Sequence, residues 1–445
     1  MPPSRTAYEL SKSQVATPEQ VISLFWRLTR QYRQRLPSVL DMGAGDCRFA
    51  TGGNFDRYVG VEIDRQRATA ARLPNGGQNQ VLRGCVFRHN GNGYAACIGN
   101  PPYVRHHDIE SPWKEQTIAR LERELDISLN KHSNLYLYFF CLGLIKSCAD
   151  GLLALVIPYE WVSRPSFKAV RDYIRSQRWS VAVYRFQMPV FDGVLTTASI
   201  SIVDKRSRSG EWKYFDITRD YQVIPRRGIT GYRHPVLTYA TRGSVWALRG
   251  LSPGSQKVFT LTEGERIRAG LKKRDVVPCV TTLRNVPASL RVLTRAAFHK
   301  HFVQAGEKCW LIRSNEARLS MELNTYLGSV PATKRQTATC KKQTPWYNYK
   351  GHPIPQLLFS SGFTKYGPKV LINSVGAHAA GSVYGIHCKK KLPVRRLQGY
   401  LLKLDFEKRV VGHAGVLKKV EVKQLNAVLN AFSAEEQKNG FTGPR

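Results

Sequence analysis

Four consecutive residues, Asn100-Pro101-Pro102-Tyr103, offer the most pointed chemistry in the chain. Two prolines remove two backbone donors and stiffen the backbone, so neighbouring carbonyls face a ligand as acceptors only. Asn100 adds a side-chain carbonyl and Tyr103 a flat ring. An amino group on a heterocycle presents two N–H donors and a π face, which this set complements. The bare tetrapeptide also reads as a Pro-rich turn, so its surroundings decide. Upstream, Asp41-Met42-Gly43-Ala44-Gly45-Asp46-Cys47 places glycines where the backbone can pass close beneath a ligand, behind an acidic residue able to accept from an ammonium or hydroxyl group. Roughly twenty residues further on, Val61-Glu62-Ile63-Asp64 supplies a carboxylate suited to the two hydroxyls of a ribose. Each turn alone is an ordinary strand-to-helix turn; together they point to an adenosyl cofactor. Cys97 reads as a small strand residue. His106-His107 reads as loop that could touch a substrate strand, and with no partner cluster nearby no metal site is expected.

Such residues need elements to hold them. Val15 to Arg30 has apolar residues at Val21, Leu24, Phe25 and Leu28, an i, i+3, i+4, i+7 stripe with Thr17-Pro18 as a helix start. Three short apolar runs follow: 38–41, 58–63 and 95–99. A helix is expected over 134–148, a buried strand over 151–157, a helix over 166–177 and a strand over 180–186. Strands alternating with helices predict an α/β fold, an open and mostly parallel Rossmann-like sheet covered on both faces. After Ile200 to Val203 the pattern breaks at Arg206-Ser207-Arg208-Ser209-Gly210. From about Tyr239 onward, short β-like runs, aromatics and basic pairs predict a second, mostly β or mixed domain, with a boundary between 205 and 245. The expected division is 1–225 and 226–445.

Charge indicates the partner. The chain has 445 residues and a formal net charge of +36. Residues 1–200 contribute +8 and residues 201–445 contribute +28. Such an excess opposes compaction by self-repulsion and exceeds what solubility needs; a polyanion would neutralise it, and nucleic acid is the obvious one. Basic groups recur at Lys272-Lys273-Arg274, Lys334-Arg335, Lys341-Lys342, Lys389-Lys390-Lys391 and Arg395-Arg396, with Trp310, Trp346-Tyr347-Asn348-Tyr349 and Phe363-Thr364-Lys365-Tyr366 between them. The DNA contacts expected are Lys272, Lys273, Arg274, Lys341, Lys342, Lys389 and Lys390. The nine cysteines are scattered without a CxxC pair, which argues against a structural zinc or a disulfide framework. Met1 to Leu10 has no apolar signal core, and the apolar stretch from Leu135 to Ile145 stops at Lys146, well short of the roughly 20 residues that span a membrane. A soluble, intracellular protein is expected.

In this order, residues 10–205 resemble the DNA adenine-N6 methyltransferases that use S-adenosylmethionine, particularly the stand-alone modification enzymes of type II restriction–modification systems with a C-terminal target recognition domain. Ala16-Thr17-Pro18-Glu19-Gln20-Val21 is similar to the family's helix-start segment, Asp41 to Gly45 to its cofactor turn, and Val61 to Asp64 to its ribose-binding strand end. Asn100 to Tyr103 matches the catalytic tetrapeptide in full. Ile157-Pro158-Tyr159-Glu160-Trp161 resembles a later strand, and Val190-Phe191-Asp192-Gly193-Val194 the segment carrying an aromatic lid. The resemblance implies that Thr17, Asp41, Gly43, Gly45, Glu62, Asn100 and Pro102 hold S-adenosyl-L-methionine, and that Asn100, Pro101, Tyr103 and Phe191 act on an adenine flipped out of double-stranded DNA. It also implies a monomer in the prokaryotic cytoplasm, associated with the nucleoid, beside a separate cognate restriction endonuclease. Two positions depart from the family: Cys47 stands at the third glycine, and Gly84 falls where an acidic residue often meets the cofactor adenine. The alternatives are a methyltransferase on cytosine N4, RNA or a protein glutamine, and a non-catalytic DNA-binding or specificity protein.

Overall fold

The computed structural model describes residues 16–438 apart from 76–77, 192–195, 227–239, 365, 390–392, 407–409, 411 and 415–416. The chain divides into two units: 1–236 with 411–415, and 237–410 with 416–445.

The first unit is built on nine strands: β1 (Leu36–Met42), β2 (Phe55–Glu62), β3 (Gln80–Arg83), β4 (Tyr94–Gly99), β5 (Ser147–Pro158), β6 (Ser180–Phe186), β7 (Ala198–Asp204), β8 (Trp212–Ile217) and β9 (Val223–Pro225). Their order is β3-β2-β1-β4-β5-β7-β6-β8-β9. β3, β2, β1, β4 and β5 run parallel, and β7 lies antiparallel between β5 and β6. The open α/β sheet expected from the alternating pattern is therefore present. Strand residues alternate between its faces. Leu40, Met42, Val59, Cys97, Leu153 and Val183 join one core, and Val39, Tyr58, Ile98, Ala154 and Ala182 the other.

Helix α1 (Glu19–Arg30) closes the second face through Val21, Phe25 and Leu28, all nearly inaccessible. It begins at Glu19, directly after the expected start at Thr17-Pro18, with Pro18 extended in the N-cap position. Helix α2 (Arg65–Thr69) follows Asp64, whose carboxylate accepts the Gln66 and Arg67 N–H groups. The first face is covered by α3 (Ser111–Leu125), α4 (Leu135–Lys146) and α5 (Lys168–Ser176). α4 is apolar on every side because α3 packs against it from outside, and it ends two residues early, where Ser147 already begins β5. α3 was not among the expected elements: its buried stripe of Thr117, Ile118, Leu121 and Leu125 is thin within a charged segment.

The second unit is mixed. Strands Val245–Leu248, Val383–Cys388, Leu357–Ser360, Val370–Asn373 and Val292–Leu293 form one sheet in that order. A second sheet contains Thr260–Leu261, Trp310–Ile312, Val276–Val280 and His378–Ala379. Helix Val394–Lys403 packs on the first sheet, where Gln398 Nε2 donates to the carbonyls of Val370 and Arg291. Asn426 Oδ1, on helix Val422–Lys438, accepts the Ala247 N–H at 2.7 Å and satisfies the edge strand. Among the described residues, no helix is long and apolar enough to cross a membrane.

Candidate active site

The strand order reverses between β1 and β4, and ligands of open α/β sheets bind beyond the carboxyl ends of strands at such a switch point. β1 runs into Gly43, β2 ends at Glu62 and β4 leads into Asn100. A cavity of about 310 Å³ lies there, lined by Thr17, Gly43, Gly45, Glu62, Asn100 and Pro102 among others. Gly43 and Gly45 have φ of 76° and 60°, the left-handed region that favours glycine. Cys47 takes φ 60° without being glycine. Its thiol is buried beside the Tyr58 hydroxyl and fills the space over Gly60, where an added Cβ would meet Sγ at 2.9 Å. Gly99 turns with φ 144°; a Cβ there would lie 2.9 Å from the Met42 carbonyl oxygen. Only glycine lets β4 approach β1 closely enough to deliver Asn100 to the mouth.

Glu62 organises the turn. One carboxylate oxygen accepts the Gly45 N–H at 2.7 Å and the other the Asp64 N–H at 2.8 Å, with the side chain almost fully buried. Each oxygen keeps a lone pair for a further donor. A polar chain then crosses the mouth. Asp46 pairs with Arg48, which holds the Asp46 carboxyl below its ordinary range; Arg48 Nη1 donates to the Thr17 carbonyl at 2.7 Å; Asn100 Nδ2 donates to Thr17 Oγ1 at 3.1 Å. The last bond leaves Asn100 Oδ1 as the free acceptor.

Two expected roles need correction. Asp41 does not line the cavity. It is still within the pleat of β1 and points to the α1 face, where it is fully buried and accepts from the Tyr58 hydroxyl at 2.5 Å. Asp46, in the same motif, is the carboxylate at the cavity. Burial, with Glu62 and Asp46 adding to it, pushes the Asp41 carboxyl up to about 7 against the Tyr58 hydrogen bond. An acid bound more tightly by the folded chain stabilises it below the ordinary carboxylate range, and that stability is lost as pH rises through about 7. Asp41's own share of the change in stability between pH 4 and 8 is therefore a loss on the order of 4 kcal/mol, set against a gain from buried histidines such as His387, whose imidazole burial pushes down to about 4. Asp41→Asn should remove that share, so that in a thermal melt series the melting temperature gains more, or loses less, from pH 4 to 8 than in wild type; a variant with the wild-type pH dependence would contradict it.

Phe191 is the second correction. It is 5% exposed and packed in the α1-face core, rather than standing free as a lid. Its ring is 6.2 Å from Tyr103 at 82°. A base sandwiched between two rings needs parallel planes about 7 Å apart, twice the contact distance, so no slot exists between them. Tyr103 is half-buried, and its hydroxyl donates to the Val156 carbonyl at 3.1 Å. Phe191→Ala should cost about 3–5 kcal/mol of stability, read as a lowered melting temperature; an unchanged melting temperature would return Phe191 to a free role. Asp192, Gly193 and Val194 lie outside the described residues. Pro101 is buried and does not line this cavity.

Ile63, Val86, Phe87 and Phe139 add an apolar wall that the motifs did not reveal. Phe139 is one apolar residue among many in α4, and Phe87 follows Gly84 without a distinguishing pattern. Gly84 lines the same cavity, with nothing within 4 Å of an added Cβ. The donor set fits an adenosyl cofactor: an apolar slot for a flat base, Glu62 for a diol, and Asp46 with backbone N–H groups of the glycine turn at the other end. Among the basic residues, Lys272 and Arg274 pair with Glu322 at 2.6 and 3.2 Å, and Lys273 with Glu263 at 2.9 Å. Lys341, Lys342 and Lys389 are exposed, and Lys365, Lys390 and Lys391 lie outside the described residues.

Residues 59–191 match the Eco57I restriction-modification methylase family, and residues 247–402 match the C-terminal domain of type II methyltransferase M.Eco57I; together they take in more than half of the chain. Type II methyltransferase M.AccI of Acinetobacter calcoaceticus is 22% identical over 396 residues, covering 78% of this chain and 71% of that protein. Type II methyltransferase M.XamI of Xanthomonas campestris pv. amaranthicola is 29% identical over 177 residues, covering 37% of this chain and 33% of that protein, so the chain spans a third of that relative. Among solved structures, the type IIL restriction-modification enzyme MmeI in complex with DNA aligns with a TM-score of 0.60 at 12% identity, covering 96% of this chain and 68% of that chain. At that identity the likeness is one of fold.

Proposed function

We propose that this chain, which belongs to the Eco57I restriction-modification methylase family, methylates N6 of an adenine flipped out of duplex DNA, with S-adenosyl-L-methionine as donor. The observation that carries the reading is Asn100: glycine-delivered, tethered to Thr17 through Nδ2, and presenting Oδ1 at a cavity that Glu62 and the glycine turn prepare for an adenosyl group. When bound, the cofactor supplies an electrophilic methyl group on a sulfonium. Thr17, Gly43, Gly45, Glu62, Asn100 and Pro102 would hold it, with Asp46 in the place expected of Asp41.

The chain's own task is to make a weak nucleophile attack. The N6 lone pair is delocalised into the adenine ring. Asn100 Oδ1 and the Pro101 carbonyl accept its two hydrogens, which favours a geometry in which the lone pair leaves the ring plane and faces the donor. Positioning and electrostatics then suffice without a covalent enzyme intermediate. Tyr103 offers a stacking face to the extruded base, and Phe191 supports that ring from the core. Residues 1–225 carry out the transfer and residues 226–445 bind the duplex. A monomer protecting host DNA beside a separate cognate endonuclease completes the reading. Modified-base sequencing of DNA from cells expressing the chain tests it: N6-methyladenine at one recurring site is expected, whereas N4-methylcytosine, or no modified base, would overturn it.

A further inference from the structure

From Leu323 to Leu404 the chain has thirteen Lys and Arg and not one Asp or Glu. Several of these cations are satisfied internally. Lys369 Nζ donates to the carbonyls of Leu283, Arg284 and Val286, Arg396 pairs with Glu436, and Arg335 bonds backbone carbonyls while lying over Trp346. Lys334, Lys341, Lys342, Lys350, Lys389, Arg395 and Lys403 are exposed with no carboxylate, among the described residues, within ion-pair distance; of these, Lys341, Lys342 and Lys350 gather on one turn and the depression beside it. Three unpaired like charges so close in sequence repel one another unless a polyanion neutralises them.

Their support is fixed. Lys341 and Lys342 sit on a short 3-10 turn (Cys340–Lys342) over the buried Cys340, with Thr337 Oγ1 accepting the Cys340 N–H. Gln343 Nε2 donates to the Pro253 carbonyl at 3.1 Å, and the Tyr349 hydroxyl beneath donates to the Ile312 carbonyl at 2.8 Å. A surface depression there is lined by Thr339, Lys342, Gln343, Thr344, Asn348 and Lys350 among others, a rim of ammonium, hydroxyl and amide donors with no acid. Phosphate oxygens are met by such donors.

We propose that this surface, with Lys341, Lys342 and Lys350 as its phosphate-binding cations, grips the backbone of duplex DNA, and that Lys272, Lys273 and Arg274 do not. The inference rests on the DNA-methyltransferase reading. Binding of the full-length chain to a duplex is measured as the logarithm of the association constant against the logarithm of salt concentration. The triple variant Lys341→Gln, Lys342→Gln, Lys350→Gln should lower the steepness by about 3, close to one for each phosphate no longer neutralised, with S-adenosylmethionine binding unchanged. The triple Lys272→Gln, Lys273→Gln, Arg274→Gln should keep the wild-type slope. A steep wild-type slope that the first triple leaves intact, or that only the second triple reduces, overturns this surface alone. Wild-type binding that ignores salt overturns the DNA reading and this one with it.

Discussion

Asn100→Ala removes methyl transfer by about 100-fold or more while cofactor affinity changes by less than tenfold. The acceptor removed is needed chiefly when the N6 lone pair must be exposed, so its contribution falls mostly on the transition state, and one preorganised partner of this kind is worth about 3 kcal/mol. The structure sharpens the expectation. Asn100 Nδ2 is committed to Thr17 Oγ1, so the amide cannot turn freely and Oδ1 is held toward the site. Asn100→Asp separates acceptance from tethering. It retains acceptor oxygens, and the Thr17 hydroxyl can donate where it formerly accepted, so a partial rate should return. Single-turnover transfer of a labelled methyl group reads both variants. An alanine variant near the wild-type rate would remove Asn100 from the reaction.

The contrast between Asn100 and Asp41 shows what a linear pattern can convey. Asn100, the glycines of the turn and Glu62 are legible because they stand at or just past the ends of short apolar runs that read as buried strands, and residues at a strand's carboxyl end open onto the crevice whatever their details. Asp41 stands only one residue inside its strand, and that one residue turns its side chain to the α1 face. Phe191 departs from its expected place for a different reason: whether an aromatic residue in a loop faces solvent or core depends on Tyr103, Met188 and Val190 packing around it. The basic triplet at 272–274 shows a third limit, since Glu263 and Glu322, which pair with it, lie nine or more residues away in sequence and nothing local announces them. α3 is hidden because its apolar stripe is thin amid charge, whereas α4 is obvious from its uninterrupted run.

Removing the Glu62 carboxylate should have the largest effect on cofactor binding. Its two oxygens anchor the Gly45 and Asp64 N–H groups, so the same group that would bond a ribose diol also sets the shape of the glycine turn. Hydrogen bonds to a charged group are worth about 1.5–3 kcal/mol each. Without the two ribose hydrogen bonds, Glu62→Ala should therefore raise the dissociation constant of S-adenosylmethionine by at least about 100-fold, with loosening of the turn adding to it. Glu62→Gln is not a mild change here: its amide nitrogen would face either the Gly45 or the Asp64 N–H, setting donor against donor. Glu62→Asp is shorter by one methylene and cannot keep both backbone bonds in place. All three variants should lose affinity, with alanine losing most. Because Glu62 does not touch the target base in this reading, the single-turnover rate at saturating cofactor should stay within about tenfold of wild type. Calorimetric titration with S-adenosylmethionine measures the first quantity and labelled transfer the second. Wild-type affinity in Glu62→Ala would place the adenosyl group elsewhere, and a collapsed rate at full saturation would make Glu62 part of the catalytic geometry rather than of the cofactor's seat.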